Sequence, residues 1–301
     1  MAYERVNWEN LPSTNTPVNA DNLNKMENRI DQIENDFKNA GTHNSLYRGK
    51  DITDLFYDGT LSQQIAAGTF DDIFIGDYII GKVSGRKYLV ADLNYRLHTG
   101  DTECTKNHIL MIPERIMGTA KMNNSNITTG AYVGSKMYTE YLTPFKTVIN
   151  NDFGSGHILS HRQYLKTAVT DGYESAGEWK DSTIELMNEL MVYGSNIFHN
   201  IQHGAINTMD KSQLSLFRLR HDLIVARNDA GDRYWYWLRD VASSLYFAFV
   251  GSQRSCEQHQ RFELWRCSSY FPNILNKRKD KNMENTDFIE RIAHLEEQKI
   301  N

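Results

Sequence analysis

The chain has 301 residues, a formal net charge of −5, 40% hydrophobic residues and 11% aromatic residues. That is enough apolar content for one large or two modest globular domains, and it gives no general attraction to nucleic acid; only Lys277–Lys281 forms a basic face. No run of about 18 apolar residues exists to span a bilayer, and the Met-Ala-Tyr-Glu start has neither the basic nor the apolar region of a cleaved secretion signal.

Residues 1–18 read as an extended arm, because Pro12 and Pro17 fix φ, lack an N–H and restrict the residues before them. A helix follows over residues 19–40. Asn19 is placed as its N-cap, and Val18 and Leu23 are spaced as a hydrophobic staple. Leu23, Met26, Ile30, Ile33 and Phe37 fall at alternating spacings of three and four, the a/d seam of a coiled coil. Arg29 at g and Glu34 at the next e are placed to pair between parallel neighbours. Ile at both a and d leans toward three strands. Roughly 18 helical residues, about 27 Å, are too few to hold an oligomer unaided. The plainer reading is an amphipathic helix packed on its own domain. Gly41 is expected to end the helix.

Residues 44–275 read as an α+β body. Leu46–Phe56 is a strand or turn, and Leu61–Ala67 a short helix stopped by Gly68. Phe70–Val90 alternates like a β-hairpin, and Tyr88–Tyr95 and His108–Ile112 are strands, the second ended by Pro113. Pro144–Asn151, Arg162–Val169 and Lys180–Tyr193 read as helices, the last with Ile184, Met187, Leu190 and Met191 on one face. Leu214–Leu219 and Leu223–Ala226 are short strands or turns, and Tyr234–Trp265 is aromatic and β-rich. Residues 276–301 are a charged linker and a second helix, capped by Thr286, with Phe288, Ile292 and Leu295 on one face.

The residues that could carry chemistry give little. Cys104, Cys256 and Cys267 make no disulfide framework, although Cys256 and Cys267 are close enough in sequence to pair. His157 and His161 are four apart, but the Glu of H-E-x-x-H is missing and Gly154 and Gly156 interrupt the helix such a site needs. His98, Cys104 and His108 match no zinc spacing. Asp71, Asp72 and Asp77, or Asp51, Asp54 and Asp58, could supply oxygens to a structural calcium, yet neither set has the EF-hand order. No Walker loop or G-x-S-x-G is present. No cofactor, metal or catalytic residue is therefore expected.

Several stretches together resemble tail proteins of phages that infect Gram-positive hosts. WENLPSTNTPVNADNLNKMEN (8–28) resembles the start of many tail-fibre and baseplate proteins. FDDIFIGDYI (70–79), YLVADLNYRLHTGDTECTKNHILMIP (88–113), MNNSNITTGAYVGSKMY (122–138), FGSGHILSHRQYL (153–165), ELMNELMVYG (185–194), FRLRHDLIV (217–225) and YWLRDVASSLYFAFV (236–250) resemble the body of one subset. The resemblance implies a homotrimer at the virion tail tip, made and assembled in the host cytoplasm. It implies attachment through the N-terminus to other tail or baseplate proteins. It also implies a C-type-lectin-like C-terminal region that binds a host cell-surface glycan or protein. Trp237, Leu238, Arg239 and Asp240 would then be scaffold, and the stretch after them receptor contact, in some members diversified by retroelements. The chain departs from that pattern at Ser269–Pro272 and in continuing past it. On its own residues, the 252–266 stretch is rich in groups favoured at binding hot spots. The candidates are Ser252, Gln253, Arg254, Glu257, Gln258, His259, Arg261, Phe262, Glu263, Trp265 and Arg266. Two further readings stand beside this one. The first is a structural adaptor that bridges tail proteins and touches no receptor; the second is an envelope polysaccharide depolymerase.

Overall fold

The computed structural model describes residues 20–37, 40–206, 210, 212–252 and 256–258. Helix α1 (Ala20–Phe37) carries the expected seam, and Leu23, Ile30 and Ile33 on it are 43, 56 and 44% exposed, with Met26 half-buried. Gly41 does not end the helical stretch: it lies inside a short turn, α2 (Ala40–His43). The chain leaves this turn with His43 buried, its ring stacked on Phe74 at 4.1 Å and Nδ1 bonded to the Ile73 carbonyl. The arm, Asn19 and the expected C-terminal linker and helix lie outside the described residues.

The first half of the body is built on an antiparallel sheet ordered β1 (Tyr78–Ile80), β2 (Lys87–Leu93), β3 (Ile109–Pro113). Helices α3 (Thr53–Tyr57) and α4 (Thr60–Ala67) precede it, and Gly68 ends α4 in the left-handed region that glycine adopts freely. Residues 47–51 run alongside through parallel bridges Tyr47↔Ile75 and Asp51↔Tyr78. The Asp77 carboxylate fastens this corner, accepting from the Lys50 and Phe74 amides at 2.8 Å each and from Arg48 Nη2 at 2.6 Å. The β1–β2 hairpin is latched from the other side by Asp152, which accepts from Val83 N, Ser84 N and Tyr88 Oη at 3.0, 2.7 and 2.7 Å.

Asp152 belongs to α5 (Leu142–Phe153), which continues a π-helical turn over Met137–Tyr141. The segment expected as helix at Arg162–Val169 is instead a strand, β4 (His161–Thr170), paired with β5 (Tyr173–Ser182). Asp171 and Gly172 join them with φ of 52° and 84°, the paired positive φ of a tight hairpin turn. The helix expected over Lys180–Tyr193 is correspondingly wrong in its first half. Only α6 (Glu189–Tyr193) is helical, started by the Asn188 side chain accepting from Met191 N at 2.9 Å. Ile184, Met187 and Met191 are buried, but the first two lie on the irregular approach to α6 and only Met191 on the helix itself. Leu214–Leu219 is also corrected: α7 (Ser215–Leu219) is a helical turn whose first amide is held at 2.9 Å by the buried Asp92 carboxylate.

After a ribbon of β6 (Ala226–Arg227) and β7 (Arg233–Tyr234), the chain forms a second antiparallel sheet. It comprises β8 (Tyr236–Val241), β9 (Phe247–Val250) and β10 (Cys256–Gln258), with β9 central. One apolar cluster joins the two sheets, running from Ile52 and Tyr88 through Met111 and Tyr132 to Phe217, Leu238 and Phe249. The class is α+β, as expected. No helix among the described residues is long and apolar enough to cross a membrane.

Candidate functional site

The strand W-L-R-D of β8 is where polar chemistry concentrates. Between Trp237 and Val241 the ladder with β9 is interrupted, and the Arg239 amide turns instead to the Met187 carbonyl at 3.0 Å. The interruption places Arg239 and Asp240, each 5% exposed, in two buried networks. In the first, Asp210 pairs with both Arg96 and Arg239 and accepts from Asn188 Nδ2 at 2.6 Å. With its amide turned so that the oxygen faces the guanidinium groups, Gln163 accepts from Arg239 Nη1 and Arg96 Nη2 at 2.7 Å each. Four separate stretches of chain thus meet around one carboxylate.

In the second network, Asp240 accepts from Glu189 N at the start of α6, and Glu174 of β5 accepts from Val241 N at 3.0 Å. Glu189 gathers the amides of Ile197, Phe198 and His199, so a carboxylate organises an otherwise irregular loop. His199 bonds Glu174 through Nε2, and its Nδ1 lies 3.8 Å from Asp240. Burial works against the imidazolium, but Asp240 and Glu174 beside it more than offset this and lift its pKa to about 9. Burial raises Asp240 to about 7 despite His199. Both networks carry structure: their polar groups are turned inward and away from solvent.

An aromatic group of the same sheet is also largely buried. Trp235, Trp237 and Phe249 form an edge-to-face trio with centroids 5.3 to 6.0 Å apart. Trp237 lines a small pocket of about 30 Å³ closed by Asn123, Ser125, Asn126, Ile127 and Tyr246. Its indole N–H is buried and meets no acceptor among the described residues. The opposite wall is fixed: Asn123 accepts from Lys136 N and donates to the Ile127 carbonyl at 2.8 Å each, and Thr128 Oγ1 donates to the Ser243 carbonyl at 2.9 Å. Ile127 and Leu245 are about half exposed at the rim, at 52% and 47%. A space of this size holds about one water, which could accept from the unused indole N–H. Sequence reasoning assigned Trp237 to scaffold and missed the Asn123–Ile127 wall; the signal was the Asn-rich run itself.

Of the eleven sequence candidates for contact, Ser252 sits half-buried in the turn after β9, and Glu257 and Gln258 lie on β10, opposite Phe249 and Ala248 in register. Phe249 in turn pairs with Trp237, so the edge strand β10 brings the start of the candidate stretch to the strand beside the aromatic trio. Gln253, Arg254, His259, Arg261, Phe262, Glu263, Trp265 and Arg266 lie outside the described residues, as does any pairing of Cys256 with Cys267. The histidine pairs considered in the sequence have local partners: His157 Nδ1 bonds the Phe153 carbonyl at 2.7 Å, and His108 Nε2 accepts from Arg96 N at 2.9 Å. Asp51 and Asp58 cap Thr53 and Thr60, and no group of three His, Cys, Asp or Glu among the described residues could hold a metal ion.

No family model, curated protein or solved structure matches this chain.

Proposed function

We propose that the protein is a tail-tip component of a phage or phage-like particle. It attaches through its N-terminal arm and neck helix and binds a host cell-surface receptor through a lectin-like C-terminal region. The observation that carries the reading is the construction of the C-terminal sheet. β8 is bolted to the core by two buried charge networks, a largely buried aromatic trio with an unused indole N–H packs on it, and the sheet's edge strand leads into the Arg- and aromatic-rich stretch 252–266. A rigid sheet whose edge strand continues in sequence into Arg and aromatic residues supports a recognition role.

Adsorption of purified full-length protein to host cells tests it. Replacing Arg261, Glu263 and Trp265 together is expected to lower adsorption by about tenfold or more, the effect of losing a hot-spot cluster. Asn126→Ala is expected to lower it less. Unchanged adsorption in both variants would remove this face from the site. Absence of any cell binding, with capture of a second virion protein through residues 286–301, would select the adaptor reading instead. Release of saccharide from host envelope would select a depolymerase.

A further inference from the structure

A second site lies away from the C-terminal sheet, and it does not depend on the reading above. Two cavities, of about 440 and 200 Å³, share the wall Pro113, Glu114 and Arg115 at the end of β3. The first opens on the tip of the β1–β2 hairpin, with Arg86 and Lys87; the second on the β6–β7 ribbon, with Arg227 and Arg233. Five cations therefore line these two adjoining cavities in a chain whose net charge is −5. Its acids are Glu114, Asp229 and Asp222, and Asp222 is already engaged by Arg220 at 2.7 Å.

How these cations are held matters more than their number. Arg86, Arg115 and Arg227 each donate to a backbone carbonyl, of Ile116, Asp229 and Gly231, at 3.0, 2.5 and 2.7 Å. Arg86 also lies 3.6 Å from the Asp229 carboxylate, and Arg115 and Lys87 lie 3.8 and 3.3 Å from that of Glu114. Arg227 is met by a carbonyl alone among the described residues, which orients a guanidinium without neutralising it and leaves its other N–H groups for a ligand. The ribbon adds an independent sign. Arg227 and Arg233 stand directly opposite each other in the β6–β7 register, and neither has an acidic partner among the described residues. Like charges in that position destabilise a strand pair. An anion seated between them would turn the repulsion into binding energy.

We propose that this cleft binds an anionic glycan, with its acidic groups on Arg115, Arg227 and Arg233 and its sugar rings along Leu89, Ile112 and Val225. The chemistry favours a glycan over nucleic acid. No aromatic ring lines either cavity to stack on bases, and the interspersed Glu114 and Asp229 suit a polymer of moderate charge density.

Full-length protein titrated with polygalacturonate, dextran sulfate and neutral dextran tests this. One or both acidic polymers are expected to bind and to weaken as salt rises, with neutral dextran inert. Which acidic polymer binds tells carboxylate from sulfate. Arg227→Gln with Arg233→Gln is expected to weaken binding by about tenfold or more. Folding is controlled within the same experiment: Arg233→Gln alone should leave the ligand-free Tm unchanged or raise it, because it removes a like-charge contact, while losing the Tm rise that the glycan gives the parent protein. Equal binding of neutral dextran, unchanged affinity in the double variant, or a preference for duplex DNA or polyglutamate would overturn the proposal.

Discussion

Asp210 ties together three distant segments of the chain. It pairs with Arg96 from the loop after β2 and Arg239 from β8, and takes a hydrogen bond from Asn188 ahead of α6. Two guanidinium groups, 4 and 6% exposed, would be left without their shared carboxylate if it were removed. Breaking a buried pair in this way typically costs about 3–5 kcal/mol. Asp210→Asn is therefore expected to lower the urea midpoint strongly, while Asp229→Asn, at the surface, should change it little. His199 gives a pH signature. Its folded pKa of about 9 lies above the ordinary 6.5, so the stability it contributes is complete below pH 6.5 and is lost as pH rises through 9. Asp240, raised to about 7 from 3.8, acts in the same sense at lower pH, since the folded state holds that proton longer than the unfolded chain. His108 and His161 act oppositely. Burial pulls them down to about 4 and about 3, so stability falls as acid forces charge onto them below 6.5. Between pH 6.5 and 9 the His199 contribution falls throughout and the Asp240 contribution only up to about pH 7, so the urea midpoint should drop across that window. His199→Gln should start lower at pH 6.5 and show a shallower fall toward pH 9, because Asp240 still titrates; an unchanged slope would remove His199 from the linkage.

The β4–β5 hairpin is the element that most separates sequence from structure. β1, β2 and β3 are legible because each is a short apolar run, that of β3 ended by Pro113. β4 is not, because two of the residues it buries are polar: His161 and Gln163 are 5 and 3% exposed beside Leu165. Hydrophobic periodicity cannot register a strand whose inner face carries a hydrogen-bonded network. The local signal was Asp171-Gly172, which meets the two positive φ values that a two-residue hairpin loop requires. The same limit hid the candidate site. The W-L-R-D scaffold stood out as a motif, whereas the unused Trp237 N–H and its Asn123–Ile127 wall arise from segments over 100 residues apart. Gly172 offers a direct test of the turn. At φ of 84° a Cβ is strained, and it would also meet Ser244 N at 3.1 Å. Gly172→Ala is expected to cost about 1–2 kcal/mol by thermal or urea denaturation. Gly204→Ala, also at positive φ but with open space around it, should carry only the backbone part of that cost.

At the scale of the whole molecule, the body buries its core while α1 leaves its seam in solvent. Leu23, Ile30 and Ile33, spaced as a and d positions, are 43, 56 and 44% exposed on one chain. Burying a seam of this kind contributes about 25 cal/mol per Å², and three helices that share it exclude water from all three seams at once. A seam this short is weak by itself, which makes its assembly sensitive to single charges. The proposed trimer therefore predicts a scattering mass of three times 34.8 kDa at micromolar concentration. Ile30→Asp with Ile33→Asp should return the mass to one chain, because three carboxylates would face each other in each layer. The body's urea midpoint should be unchanged, since neither residue belongs to the buried core. Adsorption then links the seam to function. Three copies of a weak site on one particle bind through effective concentration, and avidity can exceed single-site affinity by about 10²–10⁴. The charged-seam variant should thus lose adsorption to cells by a factor in that range while keeping its affinity for soluble receptor fragments. A parent protein that scatters as a monomer would sink the trimer. A monomeric variant that adsorbs as well as the parent would show that attachment rests on a single strong site, and the exposed stripe on α1 would then belong to docking on the particle rather than to recognition.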